Sequence, residues 1–138
     1  MTAEERDVEE LIRDWVDAVR GGDLDTLLDR HARDIVMFDV PPPEQGVRGI
    51  DAYRETWPPF FEWVRSGTFE LESLSVTAGA DVAYAWALLR CGQPADFAAR
   101  PDSRLRLTVG LRREADAWTV AHEHHSFTHP LPPDPPPE

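Results

Sequence analysis

Apolar side chains recur every three or four positions at the start of the chain, which predicts an amphipathic helix over residues 4–20. Gly21 and Gly22 follow at once and end this helix, as glycine commonly does. Asp23 can cap a second helix. The side chains that mark this second helix are Leu24, Leu27, Leu28 and His31. The chain is therefore predicted to begin with two helices.

The pattern then changes to a strand and a third helix. An apolar run over residues 35–40 predicts a strand, and the three prolines at 41–43 stop it. Apolar and aromatic residues between 50 and 64 return to helical spacing. Pro58 and Pro59 lie inside this third helix, so we expect it to kink or restart there.

Four extended runs follow, at residues 68–77, 82–90, 104–113 and 118–128. Helices followed by consecutive strands predict an α+β domain over residues 1–128. Its architecture is expected to be a cone-shaped, curved antiparallel sheet with three helices packed on one face. Residues 129–138 include six prolines and no core material, so we predict a Pro-rich disordered tail.

The second of these runs has an unusual alternation. Large residues such as Tyr84 and Trp86 share one face, and Ala83, Ala85 and Ala87 share the other. We expect the large face to point into a pocket or into the core. The alanine face would allow a second copy of the chain to pack closely, so a homodimer is predicted.

Composition narrows the choice of function. At 138 residues with a net charge of −12, the chain is the size of one domain and would repel nucleic acid and anionic membrane surfaces. The first residues are acidic and lack an apolar stretch, so we expect no export signal and a cytoplasmic location. Cys91 is the single cysteine, which excludes an intrachain disulfide. All fourteen basic residues are arginine, so no lysine can form a Schiff base, and we predict no cofactor.

Three stretches resemble a known family when taken together. They are residues 21–39, residues 47–49 and the final run Trp118-Thr-Val-Ala-His-Glu-His-His-Ser126. Over roughly residues 4–128 the chain resembles the SnoaL-like branch of the superfamily that contains ketosteroid isomerase, scytalone dehydratase and nuclear transport factor two. The resemblance implies a cystatin-like, ketosteroid-isomerase-like fold around a small-molecule pocket. The final strand is also similar to the association domain of calcium/calmodulin-dependent kinase.

The resemblance assigns candidate roles to individual residues. Asp39 falls where ketosteroid isomerase has its general base, or else it is a strand-end aspartate that hydrogen-bonds the turn leading into residues 41–43. The tyrosine and protonated aspartic acid of that enzyme's oxyanion hole are not reproduced, because Trp15 and Arg106 stand at the corresponding places. Arg106 is expected to stabilise an enolate or bind a carboxylate by charge, or else to form a structural pair with Glu123.

The last strand carries three histidines within four residues. Strand alternation predicts that Ala121, Glu123 and His125 face inward, and that His122 and His124 face outward with Trp118 and Val120. One slip or bulge would exchange these sets. Glu123 is expected to have a raised pKa and act as a second acid or base, or to be a buried ion-pair partner. His125 is a candidate proton relay or a hydrogen-bonded structural residue.

Metal binding and pocket lining are the remaining site predictions. His122 and His124 share a strand face, but no third ligand aligns with them, so we predict no metal site. An apolar pocket is expected to be lined by Trp15, Met37, Trp57, Phe60, Tyr84, Trp86 and Thr108, although aromatic residues at such spacings also fill ordinary cores.

Two functions are compatible with these residues. One is a cofactor-independent isomerase, dehydratase or cyclase that acts on a small apolar carbonyl compound, with Asp39 as the base. The other is a non-catalytic ligand-binding or dimerisation module. In either case the expected partner is an apolar or weakly acidic small molecule.

Overall fold

Five helices and six strands make up the part of the chain that the structure describes. The computed structural model describes residues 1–129, so nearly all of the predicted Pro-rich tail lies outside the described residues. The helices are α1 (Ala3–Gly21), α2 (Leu24–Leu28), α3 (Ile50–Glu55), α4 (Trp57–Val64) and α5 (Pro94–Ala99). The strands are β1 (His31–Phe38), β2 (Val47–Arg48), β3 (Thr68–Ala78), β4 (Val82–Gly92), β5 (Leu105–Glu114) and β6 (Ala117–Ser126).

The first helix follows its amphipathic pattern from cap to cap. The Thr2 hydroxyl accepts the backbone N–H of Glu5 at 3.1 Å, and the Glu5 carboxylate accepts the N–H of Thr2 in return. Gly22 ends the helix in the left-handed conformation, with φ of 66°. The apolar stripe between these caps is buried and forms one side of the core.

Two details of the helices differ from the prediction, and a third agrees with it. His31 begins β1 and is not part of the second helix, because α2 ends at Leu28. The third helix restarts as expected: it is divided in two at Thr56, since Pro58 fits the first turn of a new helix and lacks the N–H that a continuous helix needs. Residues 94–99, which lie between two of the predicted strands, form the short helix α5, which the pattern did not predict.

The six strands form one sheet in the order β2-β1-β6-β5-β4-β3. The predicted α+β class with a curved sheet is confirmed, and four of the five strand pairs are antiparallel as expected. The exception is β1, which runs parallel to β6, so the sheet is mixed. In this pairing Met37 lies beside Glu123, and the end of β1 therefore lies next to the His-rich strand.

The predicted alternation of large residues and alanine along β4 is present, but the alanine face is the buried one and the face with the large residues is exposed. Ala83, Ala85 and Ala87 are buried in the hydrophobic core, whereas Tyr84 and Trp86 are 54% and 49% exposed. The concave face of a curved sheet leaves less room for each side chain, so alanine suits the inside and the large rings lie outside. The prediction that these rings line a pocket or the core is therefore wrong.

A bulge in β6 decides which residues of that strand face the core. Gly110 of β5 pairs with His122 and Leu111 pairs with Val120, which leaves Ala121 as an extra residue. The extra residue changes the phase of the alternation. Trp118 and Val120 are consequently buried together with Glu123 and His125, although the sequence placed the two pairs on opposite faces.

Within residues 1–129 no helix combines the length and the apolar character that a membrane crossing requires.

Candidate functional site

A cavity of about 810 Å³ opens between α4, α5 and the ends of β4, β5 and β6. Its walls are mainly apolar and aromatic, and they include Trp57, Phe60, Phe69, Leu105 and Phe127. Asp39 and His125 contribute polar atoms to the same cavity. A concave apolar site with a few converging polar groups is the usual form of a small-molecule binding site.

Asp39 and His125 face each other across one end of this cavity. Asp39 follows directly after β1, and the parallel pairing of β1 with β6 brings its carboxylate to 3.6 Å from Nδ1 of His125. This distance is longer than a good hydrogen bond, so both groups keep capacity for a ligand. The Asp39 carboxylate also makes a local hydrogen bond, in which Oδ1 accepts the N–H of Val40 at 2.8 Å.

Behind His125 lies a buried carboxylate with three donors. Glu123 is 2% exposed, and its Oε1 accepts Nε2–H of His125 at 2.9 Å. Its Oε2 accepts the Tyr53 hydroxyl at 2.6 Å and Nε2–H of His31 at 2.7 Å. Because Nε2 of His125 is used in this way, Nδ1 is the nitrogen that faces Asp39 and the cavity.

The charges in this cluster follow from its contacts. Burial alone would raise the pKa of Glu123, but the hydrogen bonds and positive charge of His125 and His31 outweigh it and hold that pKa well below its ordinary value. Burial alone would lower the pKa of His125, but Glu123 and then Asp39 outweigh it and raise that pKa. Glu123 is thus an anion and His125 favours the imidazolium form.

The expected role of Glu123 is corrected by this geometry. A carboxylate that is saturated by three donors and has a lowered pKa does not carry protons at neutral pH. It acts as the counter-ion and orienting partner of His125.

His31 and Tyr53 belong to this cluster, although sequence reasoning did not propose either as a site residue. The side chain of Tyr53 is fully buried, its ring stacks on that of His31 with centroids 4.9 Å apart, and both bind Glu123. The sequence signal for each of these two site residues was a polar side chain within a segment of otherwise apolar pattern. Pattern alone does not distinguish such a residue from one at the surface.

Comparison with known proteins identifies the family. The model of the SnoaL-like domain matches residues 8–130. The chain belongs to the SnoaL-like family. No match was found among curated proteins.

Solved structures support the same assignment of this SnoaL-like protein. An NTF2-like protein of unknown function from Pseudomonas putida KT2440 is 36% identical, with a TM-score of 0.80 over 91% of this chain and 87% of the other. A ketosteroid isomerase-like protein from Erwinia carotovora atroseptica is 18% identical, with a TM-score of 0.67 over 94% of this chain and 100% of the other. A candidate dehydratase of the NTF2-like family from Streptomyces avermitilis is 17% identical, with a TM-score of 0.69 over 92% and 98%. The last two similarities establish the fold alone.

Arg106 does not lie in the site of this SnoaL-like protein. It is exposed on the outer face of β5, where its Nε donates to the Ser126 hydroxyl at 3.1 Å. The predicted contact with Glu123 is not made, because inward and outward positions alternate along β5 and Leu105 and Leu107 take the inward ones. The arginine that does line the cavity is Arg100, just after α5.

The predicted lining residues divide into three groups. Trp57 and Phe60 line the cavity as expected. Trp15 and Met37 are buried core residues, and Trp15 lies edge-on to His125 with ring centroids 6.4 Å apart. The third group, Tyr84, Trp86 and Thr108, lies on the exposed outer face of the sheet, so its predicted place in the pocket is corrected.

Cys91 lines the cavity but is not suited to act as a nucleophile. Burial, with smaller effects from Asp96 and Asp39, raises the pKa of Cys91 to about 12, so its thiol stays protonated and is a poor nucleophile. Among residues 1–129, no three or more His, Cys, Asp or Glu side chains are grouped so that they could hold a metal ion.

Proposed function

We propose that this SnoaL-like protein is a cofactor-independent acid–base enzyme that isomerises, dehydrates or cyclises a small carbonyl compound. The observation that carries the proposal is the opposition of Asp39 and His125 at the end of an apolar cavity, with His125 bound behind to the buried Glu123. The pair combines a carboxylate that can accept a proton with an imidazolium that can donate one, which is what proton transfer beside a carbonyl requires.

Each group has a defined step in the proposed reaction. Asp39 removes a proton from the carbon next to the carbonyl, and the bonding electrons move toward oxygen to give an enolate. The imidazolium of His125 donates its Nδ1–H to that oxygen and stabilises the developing charge. Isomerisation is completed when Asp39 returns the proton to another carbon. In a dehydration, the leaving hydroxyl takes the proton of His125 and departs as water.

The cavity also supports a proposal for the class of substrate. Its aromatic walls suit an apolar body, and a volume of about 810 Å³ accommodates a molecule of ordinary metabolite or drug size. Arg100 and His125 are cationic groups at the cavity, while Asp39 and Asp96 are anionic. This mixture favours a neutral or weakly acidic carbonyl compound over a highly charged one.

Hydrogen–deuterium exchange tests the proposed reaction without knowledge of the product. Ketones and unsaturated carbonyl compounds of suitable size are incubated with the protein in D₂O, and proton NMR follows loss of the signal next to the carbonyl. We expect protein-dependent exchange for at least one apolar member of the panel. If several compounds bind tightly and none exchanges faster than in buffer, the protein is the non-catalytic ligand-binding module.

We also propose that the protein forms a homodimer through the outer face of its sheet. The exposed Val82, Tyr84 and Trp86 lie in one row on β4, and Phe38 is partly exposed on the same sheet. A two-fold axis would place the same row against itself in the partner and bury both. The exposed Arg106 lies on this face and would reduce repulsion between chains of net charge −12.

The Trp86→Glu variant should be monomeric if this proposal holds, because it places buried, unpaired carboxylates at the centre of the interface. Sedimentation velocity measures the change, with Trp63→Glu as the control because Trp63 is also partly exposed but lines the cavity. The control should remain dimeric. A wild-type protein that sediments as a monomer at high concentration would refute the proposal.

A further inference from the structure

We propose that Tyr53 and His31 are positioning residues that hold Glu123 as a carboxylate and, through it, hold His125 as an imidazolium with Nδ1 toward the cavity. The inference rests on the proposed function of the Asp39 and His125 pair. It concerns residues that touch neither the cavity nor a substrate.

The two oxygens of Glu123 have separate partners. Oε2 accepts both the Tyr53 hydroxyl at 2.6 Å and Nε2–H of His31 at 2.7 Å, which leaves Oε1 to His125 at 2.9 Å. The donors come from different elements, since His31 begins β1, Tyr53 lies on α3 and Glu123 lies on β6. The carboxylate is therefore fixed from three directions, and it can present only Oε1 to the catalytic ring.

The donors on Oε2 are needed because burial disfavours the charged forms of both Glu123 and His125. A carboxylate and an imidazolium in a dry interior can exchange the shared proton and become a neutral acid and a neutral imidazole. Donors on the far oxygen of the carboxylate favour the ionic form, because they stabilise its negative charge. Each donor removed shifts the equilibrium toward the neutral pair by about ten- to a hundred-fold.

The surroundings of Tyr53 support this role. Its ring is held by the stack on His31 and by an edge contact with Trp57 at 5.8 Å between centroids. Burial and the adjacent carboxylate raise the pKa of its hydroxyl well above the ordinary value, so it remains a donor at any physiological pH. The indole N–H groups of Trp15 and Trp57 lie near the hydroxyl oxygen, but they make no hydrogen bond of normal geometry within the described residues.

Six ionisable side chains of the described residues lie at or around this pair. They are Glu123 and His125 on β6, His31 on β1, Asp39 after β1, Tyr53 on α3 and the protonated thiol of Cys91 on β4.

Nitrogen-15 NMR of His125 in the full chain tests the proposal, because the ring shifts report the imidazolium fraction directly. At neutral pH the wild-type ring should give imidazolium shifts. Tyr53→Phe, which keeps the buried ring, should move the Nε2 shift part of the way toward the neutral form. The double variant Tyr53→Phe and His31→Leu should be mostly neutral. His31→Gln retains an N–H donor and should restore imidazolium shifts relative to His31→Leu.

The matched control is Tyr84→Phe, which removes the other tyrosine hydroxyl of the chain from an exposed position. It should leave the shifts of His125 unchanged. Unchanged imidazolium shifts in the double variant would overturn the proposal. If that variant does not fold, an unchanged Nε2 shift in Tyr53→Phe would overturn it equally.

The measurement needs no substrate, so its outcome is separate from that of the proposed function. Loss of the imidazolium form in a protein that catalyses no exchange would support the positioning role and refute the enzyme. Exchange activity in the wild type, together with unaltered His125 shifts in the variants, would support the enzyme and refute the positioning role.

Discussion

The Glu123→Gln variant is expected to lose about 3–5 kcal/mol of its free energy of unfolding, because it breaks a buried ion pair by removing one partner. The substitution keeps the size of the side chain but places an amide where a carboxylate accepts three hydrogen bonds. At least one of the donors from His31, Tyr53 and His125 is then left facing another donor. Urea unfolding of the two proteins measures the difference.

Glu70→Gln is the matched control for this variant. Glu70 is an exposed residue of β3 in the same sheet, and a surface substitution of this kind should change the free energy of unfolding by less than about 0.5 kcal/mol. A loss below about 1 kcal/mol in Glu123→Gln would contradict the picture of a buried, fully hydrogen-bonded anion.

The pH dependence of stability should show the same ion pair. The lowered pKa of Glu123 contributes stability that is present above its unfolded pKa of about 4.3 and is lost as the pH falls toward the folded value. The raised pKa of His125 contributes stability that is present below about pH 6.5 and is lost as the pH rises through the folded value. The pair should therefore stabilise the protein most between about pH 4.3 and 6.5. The difference between the wild type and Glu123→Gln should be largest in that window.

Replacement of Asp39 by Asn should slow the exchange reaction by about 10²- to 10⁴-fold, because it removes the general base while preserving the shape of the cavity. Asp39 is only partly exposed, with 23% of its side chain accessible, so the amide should be accommodated without rearrangement. Ligand affinity should change little, since the proposed role is in proton transfer. The rate of deuterium incorporation and the dissociation constant of the same compound give the two quantities.

Asp96→Asn provides the control for this second variant. Asp96 lines the same cavity, but its carboxylate caps α5 by accepting the N–H of Gln93 at 2.7 Å, and asparagine can cap a helix in the same way. Its exchange rate should stay within a few-fold of the wild type. Equal rates in Asp39→Asn and the wild type would exclude Asp39 as the base.

The class of the fold could be predicted from the sequence because the spacing of apolar residues marks helices and strands. The first helix with its two glycines and the four late strands appear where the pattern predicts them, apart from shifts of one or a few residues at their ends. Asp39 and His125 were also recognised as candidates, and the structure brings both to one cavity.

The failures have specific physical causes. The bulge at Ala121 inserts one residue into β6, which an alternating pattern cannot reveal, so Trp118 was placed on the wrong face. For β4 the pattern defined two faces, but only the curvature of the sheet determines that the alanine face is inside. His31 and Tyr53 were missed as site residues because their partner Glu123 is distant in sequence, and only the packing of α3 and β1 against β6 brings the three together.

A crystal structure of the protein with a carbonyl compound that undergoes exchange tests the central claim most directly. We expect the carbonyl oxygen to lie within about 3.2 Å of Nδ1 of His125, with the exchanging carbon next to the carboxylate of Asp39. A ligand that binds in the cavity with its carbonyl group away from both residues would contradict it.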